Sequence, residues 1–234
     1  MKRILFFLLF GALILLIPFI IQQLIQYRQL PKSITIVTGQ EGGRYKDIAV
    51  AIGRKIEAEH GIKVKYIVSP GSQKNINFIQ NGEADFAFFQ PNVIKDTSEF
   101  PDVRMITNVF PEVVLTHVKK DLKYDPFIGE LKDRENTIIA VGEEGSGSAV
   151  NSEAILNHFD NSSLIGTRVT KNYEEVIKGF ELGDLDMAIV TTEENASIQK
   201  RIAATGKTKL MELPFAESFV AKNPEFHLHE IPSG

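Results

Sequence analysis

The sequence predicts an α/β protein built from two similar lobes that face each other across a cleft, preceded by a membrane-spanning helix. Three observations predict it. An uncharged apolar run opens the chain, short β-rich segments then alternate with helical ones, and one strand–turn–helix grammar occurs twice. With 234 residues, 43% of them hydrophobic, the chain can bury one large core or two small ones. A net charge of −4 and a pI near 5.8 argue against a nucleic-acid partner, and no RNP-like, zinc-finger or helix-turn-helix pattern occurs. The absence of cysteine excludes disulfides and thiolate metal sites.

Lys2-Arg3 precede an apolar run from Ile4 to Ile21, interrupted only by Gly11 and Pro18. The length suits a bilayer-spanning helix or a long signal-peptide core. The flank "IQQLIQYRQLPK" offers neither a small-x-small cleavage site nor a lipobox cysteine, which favours an uncleaved signal anchor. Positive charge before the span sets the N-terminus in the cytoplasm and the remainder outside.

After Pro31 the elements follow in order. "ITIVTG" (34–39) is a strand ending in glycine, and "QEGGRY" turns the chain. Ile48, Ile52 and Ile56 then mark one face of a helix. Strand "VKYIV" (64–68), turn "SPGSQ", a helix with Ile76 and Ile79, and strand "ADFAFF" (84–89) complete the first half. Two crossing strands, "VRMITNVF" (103–110) and "VVLTHV" (113–118), flank Pro111-Glu112. The second half repeats the grammar: strand "TIIAVG" (137–142), turn "EEGSGS", a helix through Ile155 and Phe159, strand "TRVT" (167–170), helix "YEEVIKGFEL", and strand "MAIVTT" (187–192). "NGEADFAFFQ" and "LGDLDMAIVT" occupy equivalent places, and a single doubly wound domain is the plainer alternative. The expected organisation is 1–30 cytoplasmic start, anchor and juxtamembrane segment, 31–115 lobe one, 116–222 lobe two, and 223–234 a truncated return crossing towards lobe one.

Three turns open helices at the carboxyl ends of strands, where ligands sit in such sheets. A helix N-terminus presents unpaired N–H groups and a partial positive charge, both favourable to an anion. Thr38, Gly39, Gly42 and Gly43 form the first turn, Ser69 to Asn75 the second, and Gly145-Ser146-Gly147-Ser148 the third. Taken singly, each also reads as an N-cap and tight turn. Arg44 reads as solvated or backbone-facing ahead of a ligand clamp. Catalysis has little support. No lysine follows Gly147 as a phosphate-binding loop requires, and Ser146 lacks the flanking glycines of a nucleophile elbow. His227 and His229 share a strand face without a third metal ligand, and His60, His117 and His158 are isolated. Glu83, Asp85, Asp184 and Asp186 lie at helix-to-strand turns, where capping and solvation outrank acid–base chemistry.

From about Ile34 onward the chain resembles the TAXI family of solute receptors, which serve TRAP-type secondary transporters. "TGQEGGRY" looks like that family's first-strand turn, and "GSQKNINFIQNGEADFAFFQ" is similar to its Gly-Ser-x-x-Asn helix with Gly-Glu-x-Asp and a strand ending in glutamine. "FPEVVLTHV", "VGEEGSGS", "LGDLDMAIV" and the terminal "IPSG" follow in the family's order. The resemblance implies a type II periplasmic-binding fold that captures small organic anions, often carboxylates or amino acids such as glutamate. By position it implies contacts from Thr38, Gly39, Gly43, Tyr45, Ser72, Asn75 and Gln90 in lobe one, and from Gly145, Ser146, Gly147 and Ser148 in lobe two. It implies a TRAP-type permease or signalling partner, and no cofactor or metal is expected; the N-terminal anchor places the protein in a bacterial inner membrane with its soluble domain facing the periplasm or exterior. The competing functions are an anchored ligand-sensing or protein-binding domain with no transport role, and an enzyme built on the same fold. The anchor and the missing base–nucleophile set argue against the enzyme.

Overall fold

A computed structural model describes residues 14, 16–25, 30–124, 134–159, 166–214 and 216–231. The apolar run begins outside the described residues. Residues 16–25 are helical, with Leu16, Phe19 and Leu24 more than half exposed. Among the described residues no helix is long and apolar enough to cross a membrane.

The two expected sets of strands form two sheets. β1 (Ser33–Val37), β2 (Lys63–Ile67) and β3 (Phe86–Ala87) are parallel in the order β2-β1-β3. The second sheet runs β6-β5-β7-β4-β8, with β4 (Val113–Lys119), β5 (Ile138–Ala140), β6 (Thr167–Val169), β7 (Met187–Thr192) and β8 (Thr208–Leu210). Its β6-β5-β7 part is parallel and repeats the order of the first sheet, while β4 runs antiparallel to both neighbours. Helices α1 (Arg44–His60), α2 (Ser72–Gln80), α3 (Gly147–Phe159), α4 (Tyr173–Leu182), α5 (Ser197–Ala204) and α6 (Ala216–Lys222) complete the chain.

The repeated Gly-acid-x-Asp segments have a shared physical task. Asp85 Oδ2 accepts the N–H of Thr35 at 2.7 Å, and Asp85 N donates to Thr35 O at 3.0 Å. In the second half Asp186 Oδ2 accepts from Ile138 N at 3.0 Å, and Asp186 N donates to Ile138 O at 3.1 Å. Each aspartate thus clips the start of the third strand of its half to the first, β3 to β1 and β7 to β5. Capping rather than acid–base chemistry is their role, and Asp186 also holds Lys119 at 3.0 Å.

The largest core lies in the second half. Phe180, Leu185, Ile198 and Ile202 fill one side of the sheet, and Ile139, Ile155, Leu156 and Met187 the other, all almost fully buried. Burying each contributes about 1.5–3 kcal/mol relative to exposure. The first core is smaller: Ile34, Ile36, Ala49 and Ile62, with Ile56 packed against them.

Three expectations need correction. The buried face of α1 is Ala49 and Gly53, whereas Ile52 is 42% exposed. The reason is close approach: a Cβ on Gly53 would meet the Tyr66 hydroxyl and Val64, so the helix turns its smallest residues to the sheet. The strand at 84–89 shrinks to Phe86–Ala87, because its flanks are held by the Asp85 clip and by turns. Residues 103–110 form no strand, and β4 alone follows Pro111-Glu112, lying wholly in the second sheet between β7 and β8.

Candidate functional site

The three turns converge. α3 begins at Gly147, and Ser146 Oγ accepts from Ala149 N at 3.0 Å, so Ser146 caps the helix and its hydroxyl proton stays available. The amides of Gly147 and Ser148 open the helix and have no partner one turn back. Ser148 Oγ bridges to β7, accepting from Thr191 N at 3.0 Å and donating to Thr191 O at 3.3 Å. Facing this helix start are the first turn and the N-terminus of α2. Between them lies a narrow cavity, partly open to solvent.

Of the expected residues, Gly39, Gly43, Tyr45, Ser72 and Gln90 line this cavity from the first half, and Ser146, Gly147 and Ser148 from the second. Thr38, Asn75 and Gly145 stand behind the wall. Thr38 is fully buried and its amide donates to Ile67 O at 2.8 Å. Asn75 Nδ2 donates to the carbonyls of Thr38 (2.9 Å) and Phe88 (2.6 Å), and Ser69 holds its oxygen, so this side chain ties strand ends together. Gly145 O accepts from Lys74 N at 2.9 Å, a backbone bond between the halves.

Gly71, within the second expected turn, also lines the wall, whereas sequence reasoning missed Gln40, Glu112, Tyr173, Thr191 and Thr192. Arg44, expected to be solvated, has a side chain 45% exposed and also reaches the wall. Gln40 spans the halves, its Nε2 donating to Pro70 O at 3.1 Å and its Oε1 accepting from Tyr173 N at 2.8 Å. Tyr173 occupies the first position of α4 because Asn172 and Glu175 form a capping box there. That signature stands in "KNYEE" and could have marked a fourth helix start at the cleft.

Glu112 is the main addition. Tyr45 Oη donates to its Oε2 at 2.8 Å and lies 3.2 Å from Ser72 Oγ, which in turn accepts from Gln90 N at 3.1 Å. Burial pushes the Glu112 carboxyl up to about 7, opposed by hydrogen bonds from Tyr45 and Gln90. Burial likewise pushes the Tyr173 phenol up to about 12, with the charge of Glu112 adding to the effect. The Tyr45 ring stacks on Phe88 at 5.5 Å between centroids and meets Phe110 at 5.8 Å, which fixes the hydroxyl's direction.

The halves touch directly. Gly71, at φ +143°, sits so close that a Cβ would lie 3.3 Å from Ser146 Cα. Asn151 of α3 donates to Gln90 Oε1 at 3.1 Å and to Thr191 Oγ1 at 3.2 Å, and accepts from Asn92 Nδ2 at 2.6 Å. A Cβ on Gly147 would run into the buried Gln90 carboxamide. Elsewhere, His117 is buried against Gln199 at 2.6 Å, and His229 meets Glu194 at 2.9 Å on the surface. Among the described residues no group of three His, Cys, Asp or Glu side chains could hold a metal ion.

Two α/β units with matching strand order, closed on a polar cleft at their strand ends, define the periplasmic-binding-protein-like class. The chain belongs to the NMT1-like family, whose model matches residues 36–234. No curated protein matches it in sequence. Solved structures share its fold. The alkanesulfonate-binding protein of Xanthomonas axonopodis pv. citri, bound to MOPS, is 14% identical with a TM-score of 0.52, covering 80% of this chain and 62% of that one. A binding protein component of an ABC phosphonate transporter from Pseudomonas aeruginosa is 12% identical with a TM-score of 0.54, covering 77% and 64%. An ancestral arginine-binding protein bound to arginine is 12% identical with a TM-score of 0.53, covering 84% and 92%. The chain thus spans less than two thirds of the first two.

Proposed function

We propose that this protein is a membrane-anchored extracytoplasmic receptor of the TAXI type, which captures a small organic anion or amino acid and presents it to a TRAP-type permease or a signalling partner. The start of α3 carries the reading: the Gly147 and Ser148 amides and the Ser146 hydroxyl proton open onto a cavity walled opposite by Gly39, Tyr45 and Ser72. Unpaired amides and the helix dipole favour a negative group there. Binding energy closes the halves about their connecting segments, and no covalent step is needed. Ser146 caps a helix instead of meeting a base, which supports binding over catalysis. The apolar run from Ile4, with its exposed side chains at 16–25, supports the anchor.

Thermal-shift screening of detergent-solubilised full-length protein against organic acids and amino acids, followed by calorimetry on the hits, tests the cleft. Gly147→Val should abolish binding, since the new side chain displaces Gln90 and blocks the amides. Unchanged affinity in folded Gly147→Val overturns the reading. Alkaline carbonate washing tests the anchor, which fails if full-length protein is released from membranes. One observation favours a second reading, an anchored protein-binding domain with a vestigial cleft: the halves touch backbone to backbone through Lys74 N and Gly145 O. A screen without hits supports that alternative.

A further inference from the structure

We propose that Glu112 sets the specificity of this cleft: its carboxylate receives an ammonium group of the solute, so the site takes zwitterionic amino acids ahead of plain organic acids. The inference rests on the solute-receptor reading above and names which class of solute that receptor admits.

Two charged side chains reach the cavity wall, Arg44 and Glu112. Glu112 stands where Pro111 leads the chain into β4, and its protein partners, Tyr45 Oη and the Gln90 side chain, are both neutral. Among the described residues no lysine, arginine or histidine forms an ion pair with it. A carboxylate held largely out of water without a cation is costly unless it takes a proton or meets a cation. Here the carboxylate faces a cavity rather than packed core, so a cation can arrive with the solute. The helix start at Gly147 and Ser148 provides the complementary pole for a carboxylate. A wall with one pole of each sign fits a zwitterion.

The site has a proton to give up. Burial lifts Glu112 to about 7, so near neutral pH a large fraction of molecules hold it as the acid. An incoming ammonium stabilises the carboxylate. The carboxyl O–H bond breaks, the proton leaves to buffer, and the anion stays paired with the solute's N–H donors. The titratable and charged groups facing Glu112 are Arg44 and Tyr45 from α1 and Tyr173 from α4. Burial pushes both phenols upward, Tyr173 to about 12, so they stay uncharged across the neutral pH range. Glu112 is therefore the wall residue whose charge changes in that range.

Isothermal titration of full-length protein in detergent tests this with matched pairs: L-glutamate against glutarate, L-alanine against propionate, and the remaining protein amino acids against their deaminated acids. Measurements at about pH 5.5 and about pH 8, each in two buffers of different ionisation enthalpy, report proton exchange. An amine-bearing solute should bind about tenfold tighter or more than its deaminated partner at about pH 8, release a proton on binding at about pH 5.5, and gain affinity as pH rises. Glu112→Gln should erase both the preference and the proton release. Should Glu112→Gln fail to fold, proton exchange by the unaltered protein at about pH 5.5 decides alone, and uptake or no exchange there overturns the inference. A deaminated acid that binds as tightly as its partner also overturns it and leaves the solute-receptor reading standing. No binding by any member of any pair overturns both.

Discussion

Glu112 ties the protein's stability to pH through one carboxyl group. Its folded value of about 7 lies above the ordinary 4.5, so between those limits the folded chain holds a proton that the unfolded chain has shed. Stability is fully present below the lower limit, falls as pH rises through the window, and stays reduced above it. The loss is on the order of 3 kcal/mol at 1.36 kcal/mol per unit. Glu112→Gln keeps an oxygen for Tyr45 to donate to while removing the charge. Its melting temperature should exceed that of the unaltered protein at about pH 8 and match it near pH 4. Calorimetric melts across pH check this, and parallel curves would assign the cost elsewhere. Glu112 was hard to read in the sequence because a lone acid after proline looks like any solvated crossing residue. Only the fold turns it inward, beside β7's end and Tyr45. The glycine turns were easier, because Gly-Ser-Gly after an apolar run states its backbone geometry locally.

The helix and strand scale was largely legible for the same local reason. Apolar periodicity marked both parallel triplets, and the repeated Gly-acid-x-Asp segments correspond to Asp85 and Asp186, each clipped to the first strand of its half. Partner choice was not legible: nothing local in "VVLTHV" says that β4 sits between β7 and β8, since pairing is a long-range matter. Nor did the isoleucines of α1 reveal that Ala49 and Gly53 would face inward, because close approach is decided by the neighbouring Tyr66. The two clips differ in weight. Asp85 is exposed and bonds one strand amide, whereas Asp186 is less exposed and holds both Ile138 N and Lys119. Asp186→Ala should cost about 1–3 kcal/mol and Asp85→Ala about 1 kcal/mol or less. Urea titrations of the two variants give the order directly, and equal midpoints would contradict it.

Across the whole molecule, Asn151 is the residue that most visibly holds the halves together, reaching Gln90 and Asn92 on one side and Thr191 on the other. Asn151→Ala removes those bonds without touching either core. Its radius of gyration in solution should grow by on the order of 1 Å as the cleft relaxes open, measurable by small-angle scattering. An unchanged profile would mean that the backbone contacts suffice. Those contacts carry a consequence for selectivity. The cavity wall is backbone at Gly39, Gly43, Gly71 and Gly147, where no side chain can swing aside to admit a bulkier guest. Along that backbone edge, room is gained only by moving one half against the other, which breaks several bonds at once. Along a homologous series of carboxylic acids, affinity should therefore hold nearly level and then drop at one chain length, a threshold rather than a slope.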